Sequence, residues 1–214
     1  MRIIEIEDLE SNRALYDEIC DVLEKGGLVC LPCNASYRIV ADLTSEQAVL
    51  RLLQSKRRTQ RKPALVFVED ESMLERVVEE IDPLARKLAQ RYWPGSVTIL
   101  FRAHPDLPAR AIRELGKKRG KIGVRVPAHP VAREVVGRLG RPLLVSSANP
   151  ETKKGAGSPA QIRKNFLGRI DLFIDAGDLP DGTASTVVEV ERGRAKVTRA
   201  GAVDLAEIER LADG

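Results

Sequence analysis

The chain has 214 residues, of which 43% are hydrophobic and 31% are charged, and its formal net charge is +4. This length fits one domain over residues 1–214, and the balance of apolar and charged residues excludes an intrinsically disordered chain. No apolar run approaches membrane-spanning length, and the acidic N-terminal stretch MRIIEIEDLE does not resemble a secretory signal. We therefore expect a folded cytoplasmic protein without a membrane partner.

In chain order, the first half of the sequence alternates between strand and helix patterns. Short apolar runs predict strands at 2–5, 28–32, 37–42, 64–68 and 96–101. Apolar residues three or four apart predict helices that contain 15–23, 49–53 and 84–92. The predicted helix starts are Ser11 or Asn12, a capping box of Thr44 and Gln47, and Asp82-Pro83. Gly26-Gly27 and Trp93-Pro94-Gly95 are the predicted stops.

The second half continues the alternation and adds a hairpin. Strands are predicted at 122–127, 142–145 and 170–174, followed by a hairpin of 185–191 and 195–201 around Arg192-Gly193. Helices are predicted over 130–139, after the cap Ser158-Pro159, and after Asp204 with Glu207. The hairpin makes the sheet mixed rather than purely parallel, so the sequence predicts a single-domain α/β fold with a mixed parallel/antiparallel sheet and flanking helices.

A cluster of five cations precedes the strand at 64–68. It comprises Lys56, Arg57, Arg58, Arg61 and Lys62, and Pro63 follows it directly. Because proline cannot extend a helix, the cluster lies at a strand entrance rather than along a helix face. This placement suits a phosphate chain or an RNA backbone, whereas the alternative is a basic linker that keeps the surface soluble. A second basic cluster at 117–121 also makes polyanionic partners a hypothesis.

Small polar residues follow the apolar strand at 142–145. Ser146, Ser147 and Asn149 lie where a strand opens into a loop, the position at which open sheets bind ligands. The loop KKGAG then leads to Ser158-Pro159, whose backbone amides could bind an anion, although a plain connector fits as well. Arg125 lies inside the apolar strand at 122–127 and therefore needs a partner.

The three cysteines are Cys20, Cys30 and Cys33, an odd number that argues against a disulfide framework and for a reducing compartment. Cys30 and Cys33 form a C-x-x-C pair. Redox chemistry favours such a pair at a helix start, but this one leads into a strand. Neither histidine lies at a zinc-ligand spacing from the pair, so no metal site is expected.

Several separate stretches resemble the motifs of the YrdC family, which includes L-threonylcarbamoyladenylate synthases and the YciO-like proteins. In chain order they are Lys56-Arg57-Arg58 (K-x-R), Trp93-Pro94-Gly95 with Thr98 (W-P-G-x-x-T), IGVRVPAHP (R-x-P), Ser147-Ala148-Asn149 (S-x-N), Ser185-Thr186-Val187 (S-T-V) and Arg199-Ala200-Gly201 (R-x-G). Each motif is short, but they occur in the family's order between about Gly26 and Gly201.

The resemblance implies a twisted mixed sheet with helices around a basic concave surface, the YrdC-like fold. It also implies a nucleotidyltransferase that converts threonine, bicarbonate and ATP to threonylcarbamoyl-AMP and pyrophosphate, the first step toward threonylcarbamoyladenosine in tRNA. Mg²⁺ is expected to be carried by the nucleotide, and tRNA and tRNA-modification proteins are expected partners. The chain has no G-x-x-x-x-G-K-[ST] motif, so cationic side chains and loop amides must hold the triphosphate.

The resemblance also implies residue roles at the matching positions. The expected catalytic residues are Lys56 and Arg58. The expected nucleotide-binding residues are Arg58, Lys62, Ser147, Asn149, Ser185 and Arg199. The expected amino-acid-binding residues are Tyr37, Lys56, Arg125 and Ser147. The expected RNA-binding residues are Lys56, Arg57, Arg61, Lys117 and Lys118.

One stretch departs from the family pattern. Where the family has P-T-[DE]-T-x-Y-G-L, this chain has PCNASYRI over 32–39, which lacks both threonines and the acid and places Arg38 at the glycine position. We therefore expect an altered amino-acid specificity or a reduced activity, and a more acidic substrate is one hypothesis. The alternative is a reshaped loop in which backbone groups replace the missing hydroxyls.

Two other functions compete with a YrdC-type enzyme. A YciO-like protein could bind double-stranded RNA or tRNA on the basic concave surface without this catalysis. Because aromatic residues make up only 4% of the chain, such binding would rely on phosphate contacts rather than base stacking. The third, more distant alternative is a C-x-x-C redox protein.

Overall fold

The computed structural model describes residues 1–55, 64–108, 120–148 and 158–213. Within these ranges, ten strands form one sheet. They are β1 (Arg2–Glu5), β2 (Val29–Cys33), β3 (Ser36–Asp42), β4 (Leu65–Phe67), β5 (Val97–Arg102), β6 (Lys121–Arg125), β7 (Leu143–Ser147), β8 (Leu172–Asp175), β9 (Thr186–Glu191) and β10 (Arg194–Arg199). Every strand that the sequence predicts is present, with bounds that differ by at most a few residues.

The sheet is mixed, as predicted. Its spatial order is β1-β8-β2-β3-β7-β4-β6-β5-β9-β10. The parallel neighbours are β1 with β8, β8 with β2, β4 with β6, and β5 with β9. The remaining neighbours are antiparallel. Because strands distant in sequence become neighbours, motifs from the two halves of the chain meet in the middle of the sheet.

The helices flank this sheet. In the described ranges they are α1 (Ile6–Ser11), α2 (Leu15–Glu24), α3 (Glu46–Ser55), α4 (Glu71–Glu75), α5 (Pro83–Tyr92), α6 (Pro130–Leu139), α7 (Pro159–Phe166) and α8 (Leu205–Asp213). The short helices α1 and α4 were not predicted, because five or six residues show too few turns for a helical period to emerge. None of the helices described combines the length and apolarity that crossing a membrane requires.

Three of the predicted helix caps are confirmed. At α8, Asp204 Oδ1 accepts a hydrogen bond from the Ala206 amide. The side chain of Asp82 accepts a hydrogen bond from the Leu84 amide, and the side chain of Ser158 accepts one from the Gln161 amide. At these last two caps proline occupies the first turn, where its missing N–H group removes no helical hydrogen bond.

Two other predicted caps are wrong. Helix α2 follows Ala14 without a side-chain cap, while Asn12 Oδ1 accepts from the Ala14 amide in the preceding turn. At α3, Ser45 Oγ accepts from the Ala48 amide, so the cap lies one residue after the predicted Thr44. Thr44 instead donates through both its amide and its hydroxyl to Asp42 Oδ1.

Both hairpins turn on two residues. Strands β2 and β3 are joined by Asn34 and Ala35, with Asn34 at a φ of 52°, so the expected four-residue loop is a tight turn. Strands β9 and β10 are joined by Arg192 and Gly193, both at positive φ, as a two-residue hairpin requires. The stretch over 32–39 that departs from the family pattern thus lies at the tip of a hairpin.

Candidate anion-binding site

One face of the sheet carries most of the polar residues that the motifs identified. Residues directly paired across strands share a face, as do alternate residues along a strand. The connecting pairs, in sheet order, are Cys33 with Ser36, Arg38 with Ser147, Leu143 with Phe67, Phe67 with Arg125, Gly123 with Leu100, Thr98 with Val187, and Val187 with Arg199. The shared face, which we call the arginine face, therefore carries Cys33, Arg38, Thr98, Arg125, Ser147 and Arg199.

Arg125 shows that the arginine face is strongly curved. Its Nη2 donates to Cys33 Sγ at 3.3 Å, although three strands lie between β6 and β2. Strands spaced by about 4.8 Å would place these two strands about 19 Å apart in a flat sheet. The sheet therefore curls, and side chains from distant strands converge in its hollow. The Arg125 side chain is 5% exposed and its guanidinium carbon lies 5.1 Å from the centre of the Phe67 ring.

Arg38 enters the same hollow from β3. Its Nε atom is buried, as is that of Arg125, and neither atom has a hydrogen-bond partner among the described residues. Burial lowers the pKa of the Arg38 guanidinium below its usual value, and the positive charges of Arg125 and Arg199 lower it further. The contact with Cys33 acts in the opposite direction. Arg38 therefore lies within electrostatic reach of two other arginines.

Arg199 completes the cluster from β10. Its Nε and Nη2 donate to the Ser185 carbonyl oxygen at 3.1 and 2.6 Å, and Nη2 also donates to Ser185 Oγ at 3.0 Å. Ser185 Oγ is in turn 3.0 Å from Thr98 Oγ1. Burial lowers the pKa of Arg199, and the charge of Arg125 adds to that effect. The S-T-V, W-P-G-x-x-T and R-x-G motifs thus form one hydrogen-bonded group.

Gly201 and Thr186 hold this group together. A Cβ atom on Gly201 would overlap the Ala184 carbonyl oxygen and the Thr186 amide nitrogen, so only glycine allows the chain to pass so close. Thr186 Oγ1 donates to the Val203 carbonyl at 2.8 Å and accepts from the Val203 amide at 3.0 Å. The threonine of S-T-V is therefore structural, whereas its serine faces the arginines.

No carboxylate offsets the three charges within the described ranges. Other arginines do have such partners: Arg163 pairs with Asp175, Arg141 with Asp42, and Arg51 with Asp171. Arg38, Arg125 and Arg199 instead contact a thiol, an aromatic ring, a hydroxyl and a carbonyl. Arg125 is buried, Arg38 is half-buried and Arg199 is exposed. Because burying a cation without a counter-ion is costly, the two inner arginines make this arrangement chemically suited to bind an anion.

Tyr37 lies apart from these residues. It alternates with Arg38 along β3 and so points to the opposite face, where its ring packs edge-on against Phe173 at 5.3 Å. Its hydroxyl donates to the Gly177 carbonyl at 2.7 Å and accepts from the Ala176 amide at 2.8 Å. The structure therefore does not bring Tyr37 together with Arg125 and Ser147. Alternation along 37–42 could have separated Tyr37 from Arg38 in the sequence.

Several expected site residues lie outside the described residues. They are Lys56, Arg57, Arg58, Arg61, Lys62, Lys117, Lys118 and Asn149. Of the remaining expected residues, the arginine face carries Arg125, Ser147 and Arg199, with Ser185 bonded to Arg199. The motifs assigned no site role to Thr98 and marked Cys33 only as a departure from the family pattern, because their meeting depends on the curvature of the sheet. Arg38 is the departure from which the sequence suggests a more acidic substrate.

Lys121, at the end of the second basic cluster, is neutralised. Its Nζ donates to Glu189 Oε1 at 2.6 Å and pairs with Glu191 as well. The neighbouring cavity, of about 920 Å³, has Glu79, Glu80 and Asp82 in its wall. Arg102, Arg192 and Arg194 also line this cavity, so its wall carries charges of both signs. The charge of Lys121 itself is offset by Glu189 and Glu191.

The C-x-x-C pair is not arranged for dithiol chemistry. Both cysteines are buried in β2, and neither is part of a disulfide bond among the described residues. Residues 30 and 33 are an odd number of positions apart, so their side chains project from opposite faces of the sheet. The described ranges also contain no group of three or more His, Cys, Asp or Glu residues placed to hold a metal ion.

Comparison with known proteins places the chain among relatives with this fold. The family model Sua5_yciO_yrdC, described as "Telomere recombination", matches residues 21–201. The threonylcarbamoyl-AMP synthase of Pyrococcus abyssi is 30% identical over 189 residues, which are 88% of this chain and 54% of that protein. The chain thus spans about half the length of this relative.

Two solved structures extend the comparison. Sua5 of P. abyssi complexed with L-threonine superposes with a TM-score of 0.86 at 27% identity, covering 99% of this chain and 61% of that one. Escherichia coli YciO superposes with a TM-score of 0.78 at 25% identity, covering 91% and 92%. The matched range includes the whole arginine face and the motifs that build it. The chain belongs to the Sua5/YciO/YrdC family.

Proposed function

We propose that this protein is an ATP-dependent enzyme of the threonylcarbamoyl-AMP synthase type in tRNA modification, with an amino-acid specificity altered from that of the family. The observation that carries the proposal is the convergence of Arg38, Arg125 and Arg199 on one hollow without a carboxylate partner in the described ranges. The curated relative from P. abyssi is named for this activity, and the Sua5 structure from that organism was solved with L-threonine.

The arginine face suits the chemistry of this reaction. A carbamate formed from bicarbonate and the amino acid attacks the α-phosphorus of ATP, and pyrophosphate leaves. Negative charge shifts to the leaving pyrophosphate, so cations fixed beforehand stabilise the transition state. We assign Arg199 and Ser185 to the phosphates and Arg125 to the α-carboxylate of the amino acid. Mg²⁺ would arrive bound to the nucleotide.

Residues outside the described ranges complete this proposal. Lys56 and Arg58 remain the proposed catalytic cations, and Lys62 and Asn149 remain proposed nucleotide ligands with Ser147. Tyr37 is assigned a positioning role, because its hydroxyl fixes the backbone at Ala176 and Gly177. We place the reaction in the reducing cytoplasm, with tRNA and tRNA-modification proteins as partners.

Pyrophosphate release tests the proposal. The protein is incubated with ATP and bicarbonate in the presence and absence of each amino acid, and the aminoacyl-carbamoyl adenylate is identified by mass spectrometry. We expect amino-acid-dependent pyrophosphate release that falls at least tenfold in Arg199→Ala and is unchanged in Arg194→Ala, a change at the exposed far end of the same strand. Pyrophosphate release that does not depend on any amino acid contradicts the assignment.

A second candidate function is binding of double-stranded RNA or tRNA without this catalysis. The positive charges of Arg38, Arg125 and Arg199, which have no carboxylate partner in the described ranges, support it, because RNA phosphates are anions as well. Binding of duplex RNA by a protein that releases no pyrophosphate with any amino acid would support this candidate.

A further inference from the structure

The proposed function leaves one guanidinium of the arginine face without a substrate group. Arg199 and Ser185 are assigned to phosphates and Arg125 to the α-carboxylate of the amino acid, whereas Arg38 has no assigned partner. We propose, on the basis of that proposed function, that the preferred amino acid carries an acidic side chain, as aspartate and glutamate do, and that Arg38 binds this second carboxylate.

The hydrogen-bonding state of the two inner arginines supports the proposal. Arg125 Nη2 donates to Cys33 Sγ, and the same thiol and the charge of Arg125 both act on the Arg38 guanidinium, so the two arginines lie in one neighbourhood. The Nε donor of each is buried and lacks a hydrogen-bond partner among the described residues. A guanidinium binds a carboxylate through two parallel N–H groups, and Nε is one of the donors that this geometry uses. Each arginine therefore keeps one donor that no described residue uses.

The positive charges of the arginine face also favour an amino acid with two carboxylates. A thiol is a weak hydrogen-bond acceptor and offsets none of the three positive charges, and even a Cys33 thiolate would offset only one. Threonine brings one carboxylate and a neutral hydroxyl, so binding it would leave Arg38 facing an uncharged group. A dicarboxylic amino acid brings two negative charges to two adjacent guanidiniums. In addition to burial, the positive charges of Arg125 and Arg199 lower the pKa of Arg38, the charge of Arg125 lowers that of Arg199, and an additional anion relieves this repulsion.

The position of Arg38 within the sheet holds its side chain in place. Its strand β3 lies between β2 and β7, and Arg38 is paired directly with Leu31 and Ser147. Its backbone is therefore fixed on both sides by hydrogen-bonded ladders. Cys33, at the end of the neighbouring strand, further limits where the guanidinium can point. A side chain fixed in this way can select a ligand with little loss of conformational entropy on binding.

The test compares each acidic amino acid with its own amide. Pyrophosphate release with ATP and bicarbonate is measured for aspartate against asparagine, glutamate against glutamine, and threonine. Because each acid and its amide differ in charge but hardly in shape, the comparison isolates the second carboxylate. We expect kcat/KM for an acid to exceed that for its amide and that for threonine at least tenfold.

Substituting Arg38 links the preference to this residue. In Arg38→Gln the preference for the acid over its amide should fall at least tenfold. Arg38→Lys, which keeps the charge but not the planar pair of donors, should retain part of the preference. Thermal unfolding of each variant checks that it folds, and the wild-type comparison needs no variant.

Three results would overturn the proposal. One is wild-type protein that uses threonine or the amides as well as it uses the acids, a result that leaves the proposed function intact. Another is an Arg38→Gln variant that raises KM equally for every amino acid or for bicarbonate, since Arg38 would then bind a group common to all reactions. If no amino acid gives pyrophosphate, the proposed function fails. In that case, calorimetry measures the affinity of the protein for each acid and for its amide in the presence of a non-hydrolysable ATP analogue. Equal affinities for acid and amide overturn the proposal about Arg38.

Discussion

At the scale of single residues, Arg199 belongs to the arginine face and donates hydrogen bonds to the carbonyl and the hydroxyl of Ser185. We predict that Arg199→Ala weakens ATP binding about ten- to hundredfold, because a hydrogen bond to a charged group contributes roughly 1.5–3 kcal/mol. Isothermal calorimetry measures the change. Arg194→Ala, at the other end of β10, is the matched control and should bind ATP as wild type does. Equal affinities of the two variants would remove Arg199 from the nucleotide site.

Tyr37 gives a second prediction, about stability rather than binding. Its hydroxyl is engaged by two backbone groups, and burial raises its pKa from 10.0 to about 12. Tyr37→Phe leaves the Ala176 amide and the Gly177 carbonyl without this partner, so we expect a loss of about 1–3 kcal/mol in the free energy of unfolding. Urea unfolding at neutral pH measures it.

The raised pKa of Tyr37 also predicts how the difference in unfolding free energy between wild type and Tyr37→Phe depends on pH. Below pH 10 the tyrosine is protonated in both the folded and the unfolded chain, and its contribution to stability is complete. Between pH 10 and about 12 the unfolded chain loses the proton first, so the advantage of wild type over Tyr37→Phe shrinks. A difference that stays constant through this window would contradict the assignment of the raised pKa to Tyr37.

At the scale of elements, the close packing of the chain after β10 against the chain before β9 makes Gly201 a sensitive position. A Cβ atom there would overlap backbone atoms of Ala184 and Thr186, so Gly201→Ala should push the two segments apart and displace Ser185 and Arg199. We predict loss of both stability and ATP affinity, measured by urea unfolding and by calorimetry on the folded fraction.

Gly193 supplies the contrast for that prediction. It has a φ of 71°, and no atom lies within 4 Å of the position that a Cβ atom would take, so Gly193→Ala strains only the turn. An alanine in this conformation costs about 1–2 kcal/mol, and we expect reduced stability with normal ATP affinity. Normal ATP affinity in Gly201→Ala as well would show that this packing does not position the site.

At the scale of the whole molecule, the distribution of charge decides how RNA can bind. We predict that the affinity for duplex RNA falls steeply with salt and depends on the cluster at 56–62, because phosphate contacts release counterions. Arg57→Gln/Arg61→Gln should reduce the slope of log K against log salt by roughly 2, since each phosphate contact contributes about 0.9. Filter binding or fluorescence anisotropy over a range of salt concentrations measures the slope.

Lys121→Gln is the control for this prediction. The Lys121 charge is already offset by Glu189 and Glu191, so removing it should leave the slope unchanged. A slope that falls in Lys121→Gln as much as in the double variant would mean that the acidic side chains do not shield this region. Salt-independent binding would exclude a phosphate-based interface altogether.

The sequence by itself determined the strands, the longer helices and the family. Strands, hairpins and the proline-supported caps at Asp82 and Ser158 depend on neighbours within a few residues, which the sequence shows directly. The same holds for the motifs, which are read along the chain. It did not separate Ser45 from Thr44 as a cap, because adjacent hydroxyl residues offer the helix start nearly the same chemistry.

Only the tertiary structure decided what the motifs build. Arg125 meets Cys33 because the sheet curls across three intervening strands, and no local pattern encodes that curvature. Strand pairing, which joins residues far apart in sequence, placed Arg38 on the arginine face and Tyr37 on the opposite one. Tyr37 and Arg38 are neighbours on one strand, so the period of two directs their side chains to opposite faces. Strand pairing then shows that the face of Arg38 carries the candidate site and that Tyr37 packs behind it.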